Sequence, residues 1–383
     1  MQTKNSHFSI GAFLRGHVLP FVKKNAVLLI ALCAAVITTC IVPPDKAYLK
    51  YFDWKTLTCL FCVLAVVCAL KNIRFFFFLA QKIVRAFKNA RACVLALAYV
   101  TFIGSMLIAN DMALLTFLPL GYFVLSSTGK KKYMAFTFIM QNIAANLGGM
   151  LTPFGNPQNL YLYTKFCIPT GKFMWIMLPP FLISVALITT CCFLFVKKET
   201  LTIEEDKIVL PLWRTIVYGV LFALSIIIVF RIIPFWVGLI VIPIALLFLD
   251  RKALKKVDYG LLFTFMAFFV FSGNMARIPA VQRLFGNLMQ KNALLVSTLS
   301  CQMISNVPSA ILLSQFTTNY HPLLLGVNIG GCGTLISSLA SLITFREYTS
   351  HNPGGTKKYL LLFSAFNFAF LGILLGVCSL LLL

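Results

Sequence analysis

The stretch Asn146 to Asn159 reads NLGGMLTPFGNPQN and interrupts an apolar segment running from Tyr133 to Phe166. That segment is well beyond the ~20 residues a helix uses to cross a bilayer. Pro153 and Pro157 lack an amide donor, and Gly148, Gly149 and Gly155 tolerate unusual backbone angles, so a regular helix cannot pass through. Unwound backbone inside hydrocarbon is tolerated only where it is buried in protein or lines a wet cavity. A break at mid-membrane supplies bare carbonyls and a helix amino end, the parts a transporter uses to hold ions. One proline in one helix would be read as a kink filled by its neighbours. This density of glycine, proline and asparagine points to a binding site.

Working outward, the chain of 383 residues is 60% hydrophobic and 11% charged, with a mean hydropathy of +0.91. Several runs reach or approach the spanning length, which makes this an all-α polytopic membrane protein with the lipid bilayer as its solvent. The net charge of +23 resides in short connections between apolar runs, and no basic domain is long enough for a nucleic-acid module. The twelve cysteines fall mostly within apolar segments. Cys59 and Cys62 form a CxxC, but without a second pair or a histidine, and they read as small apolar helix residues. His7, His17, His321 and His351 form no ligand cluster.

In chain order, a basic lead (Lys4, Arg15, Lys23, Lys24) precedes a retained first helix at Ala26 to Val42 and a second at Trp54 to Leu70. Between Ile73 and Arg91, Lys82, Arg85 and Lys88 recur at helical spacing, as in an amphipathic helix lying in the interface. Ala92 to Ser127 is interrupted at Ala109-Asn110-Asp111 with cations at both ends, so it is expected to be a re-entrant hairpin. The broken segment follows, then a helix from Phe173 to Val196. Residues 197–210 carry Glu199, Glu204, Glu205 and Asp206 beside Lys197, Lys198 and Lys207, a solvated linker. Helices are expected at Leu212 to Phe230, Pro234 to Leu249 and Tyr259 to Gly273, with an amphipathic one at Pro279 to Gln290. Asn292 to Phe316 is interrupted at Ser305 to Pro308, and Pro322 to Phe345 at Asn328 to Thr334. A last helix runs from Lys358 to Leu383.

The halves echo one another. IANDMALLTF (Ile108–Phe117) parallels ISNVPSAILL (Ile304–Leu313), and NLGGMLTPFGN (Asn146–Asn156) parallels NIGGCGTLISS (Asn328–Ser338). With the N-terminus inside, the outer connections hold only Lys46, Lys50, Lys55, Lys165, Lys172, Arg231, Arg277, Arg283 and Lys291 of the 33 Lys and Arg. This asymmetry supports that orientation and makes the two halves antiparallel. The expected architecture is an inverted repeat with two re-entrant hairpins, two discontinuous helices and about nine full spans. It divides into a first repeat with its basic lead (1–196), a cytoplasmic linker with its connecting helix (197–231) and a second, inverted repeat (232–383). The C-terminus is expected outside, in the inner (plasma) membrane of a bacterium.

These motifs resemble the ion transporter superfamily, which includes arsenite permeases, NhaD-type sodium/proton antiporters, citrate carriers and sodium-coupled divalent-anion symporters. The resemblance covers about Ala92 to Phe345. It implies a scaffold and a mobile transport part moving in elevator fashion, with each hairpin tip facing an unwound helix to form a cation site, and a homodimer. By position, Asn110 and Asn306 match the tip asparagines, and Thr152, Pro153, Gly155, Pro157 and Asn159 match the first unwound helix. The tips Ala109-Asn110-Asp111 and Ser305-Asn306-Val307 depart from the Ser-Asn-Thr of dicarboxylate symporters, and the second break lacks a Pro-Pro-Asn run. The arsenite and antiporter branch is nearer.

The candidate substrate- and ion-binding residues are Asn110, Asp111, Thr152, Pro153, Gly155, Asn156, Asn159, Ser305, Asn306, Asn328 and Thr334, with sodium placed at Asn110, Asp111 and Asn306. Asp111 alone among the ten acids sits deep in a membrane segment, where charge requires a partner or a proton. Sodium or a proton is therefore the expected coupling ion, and no other cofactor is expected. The chain has no Walker-type loop and no HExxH or GxSxG element, which argues against ATP hydrolysis and embedded hydrolysis. The expected function is secondary active transport of a small inorganic or organic anion on a sodium or proton gradient. Sodium/proton antiport is the alternative, ahead of a channel or a membrane enzyme.

Overall fold

The computed structural model describes residues 26–201 and 210–383, and side chains throughout them except at 26 and 83–85. The basic lead, Glu204, Glu205, Asp206, Lys207 and the side chain of Arg85 lie outside the described residues.

The first half begins with α1 (Ala26–Ile41), α2 (Trp54–Asn72) and the surface helix α3 (Phe75–Arg85). A hairpin follows, formed by α4 (Ala90–Ile108) and α5 (Asn110–Ser127). The broken helix comprises α6 (Met134–Gly148) and α7 (Pro157–Lys165), and α8 (Thr170–Phe195) closes the half. The connecting helix is α9 (Leu212–Val229).

The second half repeats the order: α10 (Phe235–Leu249), a short α11 (Arg251–Lys255) that the sequence did not suggest, and α12 (Tyr259–Arg277). The surface helix and first hairpin arm together span α13 (Pro279–Ile304), two helical segments separated by the non-helical backbone of Asn292, and α14 (Asn306–Leu313) is the return arm. The second broken helix comprises α15 (Tyr320–Ile329) and α16 (Leu339–His351), and α17 (Thr356–Leu381) ends the chain. Among the described residues six helices are long and apolar enough to cross a membrane, and α1 and α10 are shorter apolar ones.

Packing follows the repeat. Across the halves α1 lies on α12, and correspondingly α10 lies on α2. Each hairpin packs on the first segment of its own broken helix, α4 and α5 on α6, α13 and α14 on α15. The second segments cross over: α7 packs on α14 and α15, while α16 packs on α5 and α6. Neither half completes its own break.

The helices meeting at the first tip and at the breaks differ in length. At about 1.5 Å per residue, α4 and α5 extend about 27–29 Å to the first tip, whereas α7 and α14 leave the breaks by only about 12–14 Å, toward the face carrying Lys165 and Phe316.

The opposite face is fastened at Glu199. Its carboxylate accepts from Lys130 Nζ (2.6 Å), Lys132 Nζ (2.6 Å) and the Tyr133 hydroxyl (2.9 Å). Those three donors hold the Glu199 carboxyl down to about 2, so it stays charged. Its backbone adds an antiparallel bridge between Asn89 and Thr200, with Ala90 N–H donating to Glu199 O at 2.7 Å. The linker start, the foot of α4 and the approach to α6 therefore form one clasp.

The antiparallel order predicts opposite-side exposure of Lys131 and Lys291, both exposed on the surface. Single cysteines at these positions should react with an impermeant thiol reagent from opposite sides of sealed vesicles. Same-side labelling would remove the inversion.

Candidate functional site

Each hairpin turns on one residue with the same unusual backbone: Ala109 at φ 65°, ψ 149° and Ser305 at φ 75°, ψ 160°. A non-glycine residue with positive φ costs of order 1–3 kcal/mol, and here it appears twice at matched positions. Each turn is followed by an asparagine whose Oδ1 accepts the next backbone amide, Asp111 N–H for Asn110 and Val307 N–H for Asn306, both at 2.9 Å. Each tip asparagine therefore satisfies one free amide in the first turn of its return helix, and its remaining groups reach toward the breaks. Asn110 Nδ2 donates to Asn146 Oδ1 at 3.2 Å, and Asn306 N–H donates to Ser337 O at 2.9 Å.

The two breaks are tied by a reciprocal pair of contacts. Asn156 Nδ2 reaches Asn328 Oδ1 at 3.5 Å, and Ser338 Oγ donates to Asn146 Oδ1 at 2.8 Å. Since Asn146 matches Asn328 and Asn156 matches Ser338 in the repeat, these are the same contact made twice. Asn328 Nδ2 also donates to Asn159 Oδ1 at 2.6 Å.

A cavity of about 410 Å³ lies against this junction. Its polar wall consists of four helix amino ends: Asn110 and Asp111 of α5, Pro157 and Gln158 of α7, Asn306 to Pro308 of α14, and Ser338 with Leu339 at the start of α16. Its other wall is apolar, with Val27, Ile30 and Ala34 of α1 and Leu261, Phe268 and Phe271 of α12. Asp111 is the sole ionisable group among the described residues that line it. Several buried polar atoms around it have no hydrogen-bond partner among the described residues: Asp111 Oδ1, Asn146 Nδ2, Asn156 Oδ1 and both amide atoms of Gln158. Buried polar groups are normally satisfied, so these point to ligand or water.

Among known proteins, the model of the citrate transporter family, CitMHS, matches residues 17–322. The chain belongs to that family. An uncharacterized transporter of Methanocaldococcus jannaschii is 34% identical over 298 residues, covering 77% of this chain and 81% of that protein. The inner membrane protein YbiR of Escherichia coli is 28% identical over 313 residues, covering 79% and 82%. The crystal structure of the Alcanivorax borkumensis YdaH transporter aligns over 92% of this chain and 96% of that one, with 12% identity and a TM-score of 0.49. This is an integral membrane protein of a transporter family. The matching model carries the citrate name, whereas the tip residues pointed toward the arsenite and antiporter branch.

In this member of the citrate transporter family, the residues singled out from sequence divide into two groups. Asn110, Asp111, Ser305 and Asn306 line the cavity. The others form the framework behind it. Thr152 Oγ1 donates to Met106 O (2.7 Å), Asn159 Nδ2 to Met150 O (3.2 Å), and Thr334 Oγ1 to Gln302 O (3.1 Å). Pro153 is buried, Gly155 crosses Gly149 at close range, and Asn156 and Asn328 make the contact between the breaks. Oxygen ligands for sodium are available at the first tip, where Asp111 Oδ1 has no other partner among the described residues.

Sequence reasoning missed Gln158, Ser338 and Asn146. Two signals were present: Gln158 stands between Pro157 and Asn159, and Ser338 matches Asn156 in the repeat.

Proposed function

We propose that this chain is a secondary active transporter carrying a small anion, coupled to a sodium or proton gradient. In this reading the hairpins and broken helices move together against α1, α2 and α12. The observation that supports it is the convergence of four helix amino ends on one cavity whose only ionisable lining residue, among those described, is an acid. Each amino end carries roughly half a positive charge, so the wall attracts an anion without a lysine or arginine. Asp111 opposes that anion until a cation or proton neutralises it. Anion binding and cation binding thereby favour each other, which is the linkage a symporter needs.

One further feature supports movement. Apart from Thr264, whose hydroxyl donates to Gly260 O, the cavity wall from α1 and α12 is apolar, so the hairpin tips can slide along it.

The test is uptake and counterflow in proteoliposomes with a panel of carboxylates and oxyanions under imposed sodium and proton gradients. Asn110→Ala and Asn306→Ala should each lower uptake at least tenfold. Their melting temperatures should reflect only one lost hydrogen bond to a first-turn amide, about 1 kcal/mol. Full uptake in both variants would leave these residues in a structural role only. Sodium–proton exchange with no anion requirement would replace the anion reading by antiport.

A further inference from the structure

We infer that the face near Lys165 carries a separate capture site for small oxyanions, joined to the central cavity along one side of α7. A second cavity of about 670 Å³ lies there, between residues 47–55, the end of α12, α7 and Gln315. Lys50, Lys55 and Lys165 line it, and none of them makes an ion pair or hydrogen bond among the described residues. The other charges there are already engaged. Arg277 is held by Asp45 at 2.7 Å, with the Tyr51 hydroxyl at 3.1 Å. Asp53 caps α2, accepting from Thr56 N–H at 3.0 Å and Thr56 Oγ1 at 2.6 Å. Three ammonium groups thus share a concave space with one carboxylate, Asp53, whose oxygens are already bonded to Thr56. Lys165 is half-buried, its Nζ 5.7 Å from the centre of the Tyr161 ring. Cations in a low-dielectric cleft focus field on its mouth and concentrate anions there.

The path inward follows from helix spacing. Gln158, Tyr161 and Lys165 stand at i, i+3 and i+7, one face of α7, and span about 10 Å along its axis. Lys165 lines the outer cavity and Gln158 the central one. Buried Tyr161 lies between them, its hydroxyl sharing a hydrogen bond with Ser314 Oγ at 2.9 Å and its ring 5.5 Å from that of Phe269. An anion arriving at the lysines meets this Tyr161–Ser314 closure next. Behind it, the unpartnered Gln158 amide offers both a donor and an acceptor. The inner part of this path rests on the transport reading given above; the capture site itself is tested without it.

Cys167 is an exposed free thiol lining the same outer cavity, and it serves as a native reporter. The full chain in detergent would be treated with an anionic sulfonatoethyl or a cationic trimethylammonioethyl methanethiosulfonate, with labelling of Cys167 read by peptide mass spectrometry. Rates are normalised to those of glutathione, and Cys167→Ser is the blank. The anionic reagent should be favoured about tenfold. The Lys50→Gln/Lys55→Gln/Lys165→Gln variant, checked for unchanged melting, should lose that preference. Citrate or inorganic phosphate should slow labelling of the wild type but not of the triple variant, and their ranking separates carboxylate from phosphate-type anions. No preference in the wild type, an unchanged preference in the triple variant, or no protection by either anion would each overturn the site. Absence of uptake in proteoliposomes would instead count against the transport reading, because the labelling needs no transport.

Discussion

Asp111→Asn should abolish gradient-driven uptake, by about 100-fold or more, while leaving expression and counterflow in place. The magnitude follows from the cost of a charge at membrane depth, about 2.5–3.5 kcal/mol on the lenient scales. At about 1.4 kcal/mol per factor of ten, that is the leverage a coupling cation gains by neutralising this carboxylate. The asparagine keeps the shape and removes the demand, so anion binding no longer depends on the cation and the gradient no longer drives it. A structural role predicts something much smaller. Asp111 lies in the first turn of α5, where the helix dipole rewards an acid by about 0.3–1 kcal/mol, so a purely structural Asp111→Asn shifts melting slightly. Reconstituted uptake with and without imposed gradients, beside a melting curve in detergent, separates the two. Gradient-driven uptake and pH dependence equal to the wild type would return Asp111 to structure.

The second large effect is expected on folding, from Gly155→Ala. A Cβ at Gly155 would sit 2.3 Å from Gly149 O and 2.8 Å from Gly149 Cα, both backbone atoms, and 2.7 Å from Thr152 Oγ1. Backbone cannot swing aside as a side-chain tip can, and the opposing Gly149 is itself pressed against Asn156 Oδ1 and Gly155 O. Overpacking of this kind costs about 3 kcal/mol or more, and it falls on the loop that holds the first break open. Thermal unfolding in detergent should drop well below the wild type, with little folded protein recovered by size exclusion. Gly219 and Gly372 have nothing within 4 Å of an added Cβ, so alanine there should leave melting unchanged or slightly raised. Wild-type melting of Gly155→Ala would mean that the two strands of the break separate without cost.

Much of this architecture was legible because its signals are local. Glycine, proline and asparagine inside an apolar run cannot be regular helix, so both tips could be placed within about one residue and both breaks within about four. The repeat then fixed their order. Which residues face the cavity was hidden. Asn156 and Asn159 look like ligands in the sequence but spend their amides on the opposite break and on loop carbonyls, while Gln158 between them is the one left facing the open space. That division depends on how the loop folds back on its own carbonyls and on Asn328 of the opposite break, and no residue pattern encodes it. The boundary between the surface helix and the hairpin arm falls where the sequence puts it, at Asn292, whose non-helical backbone and side chain, accepting from Leu295 N–H at 2.9 Å, start the inner segment.

The crossed contacts between the breaks also bear on how the chain is made. Asn146 and Ser338 are separated by 192 residues, and Asn156 and Asn328 by 172. At about 5–20 residues per second, a ribosome needs roughly 10–40 s to supply Ser338 after Asn146 has emerged. During that interval the first half already lies in lipid with its asparagine side chains lacking the partners they hold in the finished protein. Biogenesis therefore includes a waiting stage in which half a polar core must be sheltered, by water, by the insertion machinery or by its own hairpin, until the second half arrives.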